Sequence, residues 1–326
     1  MLNIYHETIP DFVREFSAVS EVLRLKDVGM DCGLEYTSYK VWPNETPYKR
    51  YEHSLGVGLI VYHFTGSMKE SVSALFHDIA SPVFAHVVDF MNNDYLTQES
   101  TEEETRHIIE NSKEIMSLLA KYHLTVEEVC DYHIYPVADN PTPKLSADRL
   151  EYTLVNMVRN GYCDREDIKR IYDDLTVGIN EDGEKELMFR NKEIAEYFVK
   201  GALLNSKVYV SDKDRYSMER LARLLRKALN NGVIEYSDLY TTEKQVIDKL
   251  KASSITEEDW NSFQKLSVLE KSFTQADDTW LKIEAKKRYI DPYVENEGRV
   301  SELSVETGKA IKEFVDSDFN YYVRGF

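Results

Sequence analysis

The chain has 326 residues, of which 58 are acidic and 40 are basic, so its formal net charge is −18. That balance argues against a nucleic-acid backbone or an anionic membrane surface as the main partner, because both bind basic patches. Hydrophobic residues make up 42% of the chain and aromatic residues 12%. This composition allows a sizeable core and excludes global disorder. The length predicts one large domain, or one domain with an appendage.

The chain carries no sign of a membrane or secreted protein. No apolar run approaches the roughly 18 residues that a membrane helix needs. The first residues, MLNIYHETIPDF, include acidic side chains and lack the apolar centre of a secretory signal. Cys32, Cys130 and Cys163 form no CxxC pair, which disfavours a disulfide framework or a structural zinc site. We therefore expect a soluble cytoplasmic protein with no membrane partner and no nucleic-acid partner.

Helical spacing of apolar residues dominates the first two thirds of the chain. Ser54–Phe64 is apolar on nearly every side and predicts a central buried helix. Lys69–Asp78 is amphipathic and ends before Pro82. Thr101–Tyr122 predicts one long helix with an acidic first turn. Further helices are predicted at Asp148–Val158 behind a Ser146 cap, at Glu193–Val208, and at Ser217–Leu229 before Asn231-Gly232.

One segment has the pattern of a β-hairpin. Leu175–Ile179 and Lys185–Phe189 flank a Glu-Asp-Gly-Glu turn around Gly183. The predicted fold class is therefore mainly α, with a small β-hairpin. We expect one helical domain over residues 1–240, with its core at 46–160, and a C-terminal helical and mixed appendage over 241–326.

Four side chains stand where three predicted helices begin or end: His53, the adjacent His77 and Asp78, and Asp148. Imidazole nitrogens and carboxylate oxygens suit Mn, Fe, Co, Ni or Zn. Asp78 follows the apolar run Ala74-Leu75-Phe76, and a buried carboxylate is costly unless it is paired or bound to a metal. The pattern indicates that the three helix ends converge on one cation.

The sequence segments around these residues resemble the motifs of a known family. Arg50–Gly58 reads RYEHSLGVG, and Ser146–Tyr152 reads SADRLEY. The chain is similar to the HD-superfamily phosphohydrolases, which carry R-F-E-H-S-L-G-V, then H-D-x-G-H-G-P-F-S-H, then a distant Asp. It resembles the branch that contains the deoxynucleoside-triphosphate triphosphohydrolases and their bacterial relatives. The resemblance implies an HD-domain helical bundle whose metal ligands are His53, His77, Asp78 and Asp148.

The resemblance also implies roles for residues near the predicted metal site. Arg50 matches an arginine that contacts substrate phosphate, although a surface salt bridge is the alternative. Arg149 lies where a phosphate-contacting lysine is usual. Tyr152 and Tyr209 match aromatic residues of the substrate pocket. His86 matches the last histidine of the second motif and is expected to hydrogen-bond a phosphate or a catalytic water.

The chain departs from the family at two histidines. The middle histidine of the second motif is Ser81 here, and another catalytic histidine is replaced by Thr101 or Glu102. His107 is a candidate for the missing proton donor, although a histidine on a helix face is more often a bystander. The basic run Lys286–Arg288 is more typical of a solvated surface turn than of a polyanion site.

The leading hypothesis is a metal-dependent phosphohydrolase acting on a nucleotide or a related phosphate ester. A divalent ion, with Mg possible alongside the substrate, would activate a water for attack on phosphorus, and Asp78 would orient it. His86, or else His107, would protonate the leaving oxygen. Two alternatives stay open: a sensor that binds metal and nucleotide without turnover, and a helical scaffold with an empty site. The resemblance also leaves a homo-oligomer open.

Overall fold

A computed structural model describes residues 1–43, 47–92 and 104–326 of the protein. The described chain is mainly helical, with two small sheets, so the predicted fold class is confirmed. The first ten helices are α1 (Leu2–Tyr5), α2 (Asp11–Phe16), α3 (Ser20–Leu23), α4 (Arg50–Thr65), α5 (Met68–Phe76), α6 (Val87–Met91), α7 (Glu104–Asn111), α8 (Lys113–Tyr122), α9 (Ala147–Arg159) and α10 (Arg165–Asp173). The later helices are α11 (Lys192–Tyr209), α12 (Asp212–Asn230), α13 (Glu243–Ala252), α14 (Glu257–Gln264), α15 (Val300–Leu303) and α16 (Val305–Val315).

The strands form two small sheets. The first has the order β1–β2–β4–β5, and the second pairs β3 with β6. The bounds of the strands are β1 Leu175–Ile179, β2 Lys185–Phe189, β3 Leu269–Ser272, β4 Tyr293–Val294, β5 Gly298–Arg299 and β6 Tyr322–Gly325. Strands β1 and β2 pair antiparallel with Leu175 opposite Phe189, as the hairpin pattern predicts.

Helices α4 and α5 pack side by side because the sequence places small residues between them. A side chain at Gly58 would lie 3.1 Å from the carbonyl oxygen of Ser71 and 3.2 Å from Cβ of Leu75. The Ser71 hydroxyl donates a hydrogen bond of 2.8 Å to the carbonyl oxygen of Gly58. This close packing brings the first turn of α4, which carries His53, next to the C-terminal end of α5, where His77 follows.

Residues on both sides of the predicted boundary at 240 build the cores. One buried cluster surrounds α4, α5, α9 and α11 and includes Ile290, Val294 and Ile311 from the C-terminal part. A second cluster surrounds α6 and α12 and includes Trp260 and Val323. The division into 1–240 and 241–326 stays a prediction.

The prediction of one long helix over Thr101–Tyr122 is wrong. Within its described part, α7 ends at Asn111 and a new helix, α8, begins after Ser112. The Ser112 hydroxyl accepts a hydrogen bond of 3.2 Å from the backbone N–H of Ile115, which caps α8. The predicted Ser217–Leu229 helix begins earlier, at Asp212, behind a Ser211 cap. Among the described helices, none has the length and hydropathy needed to cross a membrane.

Candidate active site

Three helix ends meet at one point, as the sequence predicts. His53 lies in the first turn of α4, His77 and Asp78 directly follow α5, and Asp148 lies in the first turn of α9. The Nε2 atoms of His53 and His77 are 3.1 Å apart. Oδ1 of Asp148 lies 3.0 Å from the first and 3.7 Å from the second. His53, His77 and Asp148 therefore each offer a ligand atom to a common position.

Asp78 lies beside this group of three. Its Oδ2 lies 3.4 Å from Nε2 of His77 and 3.9 Å from Nε2 of His53. That oxygen is buried and has no hydrogen-bond partner among the described residues. Cis ligands about 2.1 Å from an ion lie about 3 Å apart, so the spacing of the group fits one bound cation. The residues present therefore fit the divalent metal that the sequence predicts.

The hydrogen bonds behind the two histidines fix their tautomers. Nδ1 of His77 is 2.7 Å from the carbonyl oxygen of Ala74, and Nδ1 of His53 is 2.7 Å from Oε2 of Glu151. Because a carbonyl and a carboxylate only accept, both Nδ1 atoms carry the proton. The two Nε2 lone pairs therefore face each other, which is favourable only with positive charge between them.

The charges around the centre favour that positive charge. Burial lowers the pKa of His53, but hydrogen bonds to Asp148 and Glu151 outweigh it and raise the pKa to about 10. Burial raises the pKa of Asp78, but Arg50 and the two imidazoles hold it well below its usual range. Burial raises the pKa of Asp148, but the hydrogen bond to His53 and the charges of His53, His77 and Arg149 together lower it to about 2. The site holds two carboxylates ionised beside the imidazoles.

Arg50 and Ser81 both hold Asp78. Nη1 of Arg50 donates to Oδ1 of Asp78, and both side chains are buried. The Ser81 hydroxyl donates to the same oxygen at 2.6 Å. Arg50 is therefore not a surface salt bridge: it lies in the wall of the cavity that contains the metal ligands. Its Nε is buried without a hydrogen-bond partner in the described part of the chain.

The ligands open into a cavity of about 510 Å³. His86, Arg149 and Tyr152 lie in its wall, together with Lys286 and Arg288 from the C-terminal part. A second cavity of about 130 Å³ shares some of these residues and extends between α9, α11 and α12. Tyr209, Asn156 and Asp214 belong to the second cavity. The two chambers adjoin, because residues such as Arg50, His86 and Tyr152 line both.

Comparison with known proteins gives three findings. Residues 50–150 match the model of the HD domain. The chain is 31% identical over 250 residues to an uncharacterised protein, YdhJ, of Bacillus subtilis, covering 75% of this chain and 72% of that one. It is 24% identical over 234 residues to the metal-dependent phosphohydrolase cns2 of Cordyceps militaris, covering 64% of this chain and 66% of that protein.

The chain belongs to the HD superfamily of metal-dependent phosphohydrolases. A solved structure agrees in fold: a phosphohydrolase from Bacteroides thetaiotaomicron superposes with a TM-score of 0.64 at 14% identity. The superposition covers 98% of this chain and 96% of that one. The HD protein described here is thus a hydrolase with a divalent-metal site.

Several predicted site residues of the HD protein lie near the ligands but make other contacts. Four N–H···O contacts surround the Arg149 guanidinium, to the carbonyl oxygens of Lys144 and Asn140, the side-chain oxygen of Asn140, and Oδ1 of Asp139. This arginine therefore holds the loop between Asp139 and Lys144. The ring of Tyr152 lies 6.3 Å from that of His53 and 6.1 Å from that of Tyr209. Both tyrosines line the chambers, as the resemblance implies.

The two histidines predicted as proton donors differ in position. His86 lies in the wall of both chambers, with Nδ1 2.9 Å from Oδ2 of Asp89. Nη2 of Arg288 is 3.3 Å from Nε2 of His86, so both ring nitrogens have partners. His107 is exposed on α7, where its ring contacts Asn111, and it does not line the described cavity. Thr101 and Glu102, the residues at the replaced histidine, lie outside the described residues.

Sequence reasoning missed three features of the HD site. Glu151 is one helical turn after Asp148, a spacing that could have identified it. His133 lies in the cavity wall with Nδ1 2.9 Å from Oδ2 of Asp139, and its loop position gave no signal. The interpretation of Lys286–Arg288 as a surface turn is wrong for its first and last residues, which line the cavity.

Proposed function

We propose that this HD phosphohydrolase acts on a nucleotide or a related phosphate ester, with its phosphoryl group at the centre formed by His53, His77, Asp78 and Asp148. The observation that carries the proposal is the pair of Nε2 atoms 3.1 Å apart with Oδ1 of Asp148 beside them, while Nδ1 of each ring is held by its own partner. A divalent ion bound there would polarise a phosphoryl oxygen and lower the pKa of a water ligand. Two nitrogen and two oxygen donors suit Mn, Fe, Co, Ni or Zn better than Mg.

Arg50 is the proposed phosphate donor. Its Nη1 donates a hydrogen bond to Asp78, whereas its Nε is buried and has no hydrogen-bond partner in the described residues. A guanidinium fixed on one edge by a carboxylate can present its remaining N–H groups to a phosphoryl oxygen. Such fixed donors stabilise charge that develops on the phosphoryl oxygens in the transition state. Asp78, held by Arg50 and Ser81, would orient the attacking water.

His133 is the proposed proton donor to the leaving oxygen. Its ring lies in the cavity wall outside the proposed ligand group, and Oδ2 of Asp139 lies 2.9 Å from its Nδ1. A histidine oriented by a carboxylate is a common acid and base in enzymes. His86 would instead hold Arg288 in place, because both of its ring nitrogens are engaged.

The second chamber would hold the organic group of the ester. The rings of Tyr152 and Tyr209 lie at 74° to each other and separate the ligands from the inner space. The Tyr209 hydroxyl accepts a hydrogen bond of 2.8 Å from Asn156. Aromatic walls with a few fixed polar groups are typical of pockets that bind the organic part of a small molecule.

The test is phosphate release from a panel of nucleotides and phosphate esters, with Mn, Mg, Co and Ni supplied in turn. We expect release with at least one metal, and we expect Asp78→Ala to abolish it. Asp248→Ala, an exposed carboxylate on α13, is the matched control and should keep parental activity. Parental activity in Asp78→Ala would overturn the proposal. A sensor without turnover would bind nucleotide in the same samples and release no phosphate.

A further inference from the structure

The charges and donors of the cavity point to one substrate class within the proposed function. We infer that the substrate carries a single phosphoryl group on an uncharged organic group, so that the protein is a phosphomonoesterase. This inference rests on the proposed function and narrows it. In the reaction, water forms a new P–O bond, the P–O bond to the organic group breaks, and a proton passes to the leaving oxygen. The products are an alcohol and inorganic phosphate.

At two positions the family resemblance implies a side chain that contacts the phosphate chain of the substrate. In this protein the residues at both positions make hydrogen bonds within the protein instead. Ser81 replaces a histidine, and its hydroxyl donates to Asp78 at 2.6 Å. Arg149 replaces a lysine, and its guanidinium is engaged by Asp139, Asn140 and Lys144. Both groups therefore support the site rather than present donors to a second or third phosphoryl group. Arg50, next to the metal ligands, serves one phosphoryl group.

The charge balance of the larger cavity fits a dianion. Among the described residues its wall carries the cations Arg50, Arg149, Lys286 and Arg288 and the carboxylates Asp78, Asp89, Asp139 and Asp148. These four positive and four negative charges cancel, so with the histidines of the wall counted as neutral one divalent ion leaves the cavity at about +2. A phosphate monoester carries about −1.5 to −2 at neutral pH and restores neutrality. Each further phosphoryl group adds about one negative charge that no cation of the wall offsets.

The segments outside the described ranges add no cation to this count. Residues 44–46 and 93–103 lie outside the described ranges, and their sequences, NET and NDYLTQESTEE, contain no lysine or arginine. Their side chains add only neutral or acidic groups wherever they lie. The count of cations available to a phosphate chain therefore does not rise with them.

The second chamber is suited to an uncharged organic group. Asp31 accepts from Nη1 and Nη2 of Arg159 at 2.9 and 2.7 Å, so this carboxylate is neutralised. Arg215 is paired with Asp212 at 2.5 Å. Burial raises the pKa of Asp214 to about 8, so this group is mostly protonated at neutral pH and can donate a hydrogen bond. Arg50, Lys286 and Arg288 line both cavities and are already counted in the charge balance of the first. The charged groups that line only the second cavity are paired or protonated, so they favour hydroxyl or amide partners over further ions.

The experiment is a phosphate series on one organic group: the mono-, di- and triphosphate of the same nucleoside, together with sugar and alkyl monophosphates. Products are separated as inorganic phosphate, pyrophosphate and tripolyphosphate. We expect kcat/KM to be highest for a monophosphate and to fall about tenfold for each added phosphoryl group. Preference for a triphosphate, with or without excess Mg²⁺, overturns the inference and leaves the proposed function standing. If the protein hydrolyses none of these substrates, the proposed function is overturned instead.

A charge variant tests the cause of the preference. Thr142 is exposed at the wall of the cavity, and Thr142→Lys adds one cation there. We expect the ratio of diphosphate to monophosphate kcat/KM to rise about three- to tenfold. Asn261→Lys, on the exposed face of α14, adds the same charge outside the cavity and should leave that ratio unchanged. Equal ratios in the parent and both variants would contradict the role of the cavity charge.

Discussion

Glu151 lies behind His53, a candidate metal ligand, with its Oε2 2.7 Å from Nδ1 of the imidazole. The carboxylate is buried, and it also accepts hydrogen bonds from the hydroxyls of Tyr48 and, at 3.3 Å, Tyr5. This arrangement fixes the proton on Nδ1 and directs Nε2 toward His77 and Asp148. Such a hydrogen bond from the second ring nitrogen is what a histidine needs to bind a metal in a fixed orientation.

Replacing Glu151 with Gln should weaken metal binding by about 10- to 100-fold. The neutral amide orients the imidazole less firmly, and it lacks the negative charge that makes Nε2 a stronger ligand. Metal content of the purified protein and calorimetric titration with Mn²⁺ measure the effect. Tyr5→Phe removes a contact to the other carboxylate oxygen and serves as the control, with affinity close to that of the parent. Parental affinity in Glu151→Gln would contradict the positioning role.

Gly56 provides the space for that carboxylate. A Cβ at this position would lie 2.7 Å from Cγ and from Oε1 of Glu151. Gly56→Ala should therefore displace Glu151 and lower both metal affinity and melting temperature, although alanine favours a helix by about 1 kcal/mol. Gly201→Ala is the control for metal affinity, because its Cβ would lie 2.3 Å from Cε and 3.1 Å from Cγ of the buried Met157, which is not in the ligand group. A stabilised Gly56→Ala with full metal affinity would disprove the steric argument.

Arg50→Lys should lower kcat/KM about 100-fold, because a lysine cannot hold Asp78 and contact a phosphoryl group together. The free energy of unfolding should fall by about 1–3 kcal/mol, since the buried Asp78 loses its guanidinium partner. Steady-state kinetics and urea unfolding measure the two effects. Arg106→Lys, in an exposed pair with Glu110, should change neither quantity.

His133→Gln should slow hydrolysis of alkyl phosphates about 100-fold and of p-nitrophenyl phosphate less than tenfold. A poor leaving group needs a proton in the transition state, and a good one does not. His107→Gln tests the rival donor from the sequence analysis and should leave both rates unchanged, because His107 is exposed away from the described cavity. The opposite result for the two variants would transfer the role to His107.

Asp214→Asn should change the pH dependence of stability. The pKa of Asp214 is raised from 3.8 to about 8, by burial and by Asp31, against the lowering effect of Arg288 and Arg215. Between these values the folded protein binds a proton that the unfolded chain releases, so parental stability falls as pH rises from about 4 to 8. The variant lacks this loss, and its stability relative to the parent should rise by roughly 1–3 kcal/mol from pH 5 to pH 8. Melting curves of both proteins across that pH range measure the effect. A difference in stability between variant and parent that does not change with pH would contradict the prediction.

The amount that sequence reasoning could predict differs from residue to residue. His53, His77, Asp78 and Asp148 could be selected from the sequence because each lies at a helix end within a short motif. In the structure His53, His77 and Asp148 form one group with Asp78 beside it, and their role as ligands stays a prediction. The hairpin strands were predicted at their observed bounds because alternation and turn residues are local signals. The break at Ser112 was missed because a helix interrupted by one capping residue keeps nearly the same apolar spacing.

The sequence by itself determined the mainly helical fold and the donor types at the centre, because periodicity, caps and short motifs are properties of neighbouring residues. Only the tertiary structure decided what those donors face. The contact of Glu151 with His53, the engagement of Arg149 by its own loop, and the approach of Arg288 to His86 join residues 9 to 202 positions apart. Such contacts depend on how helices pack, since a side chain's partner is set by proximity in space and not by distance along the chain.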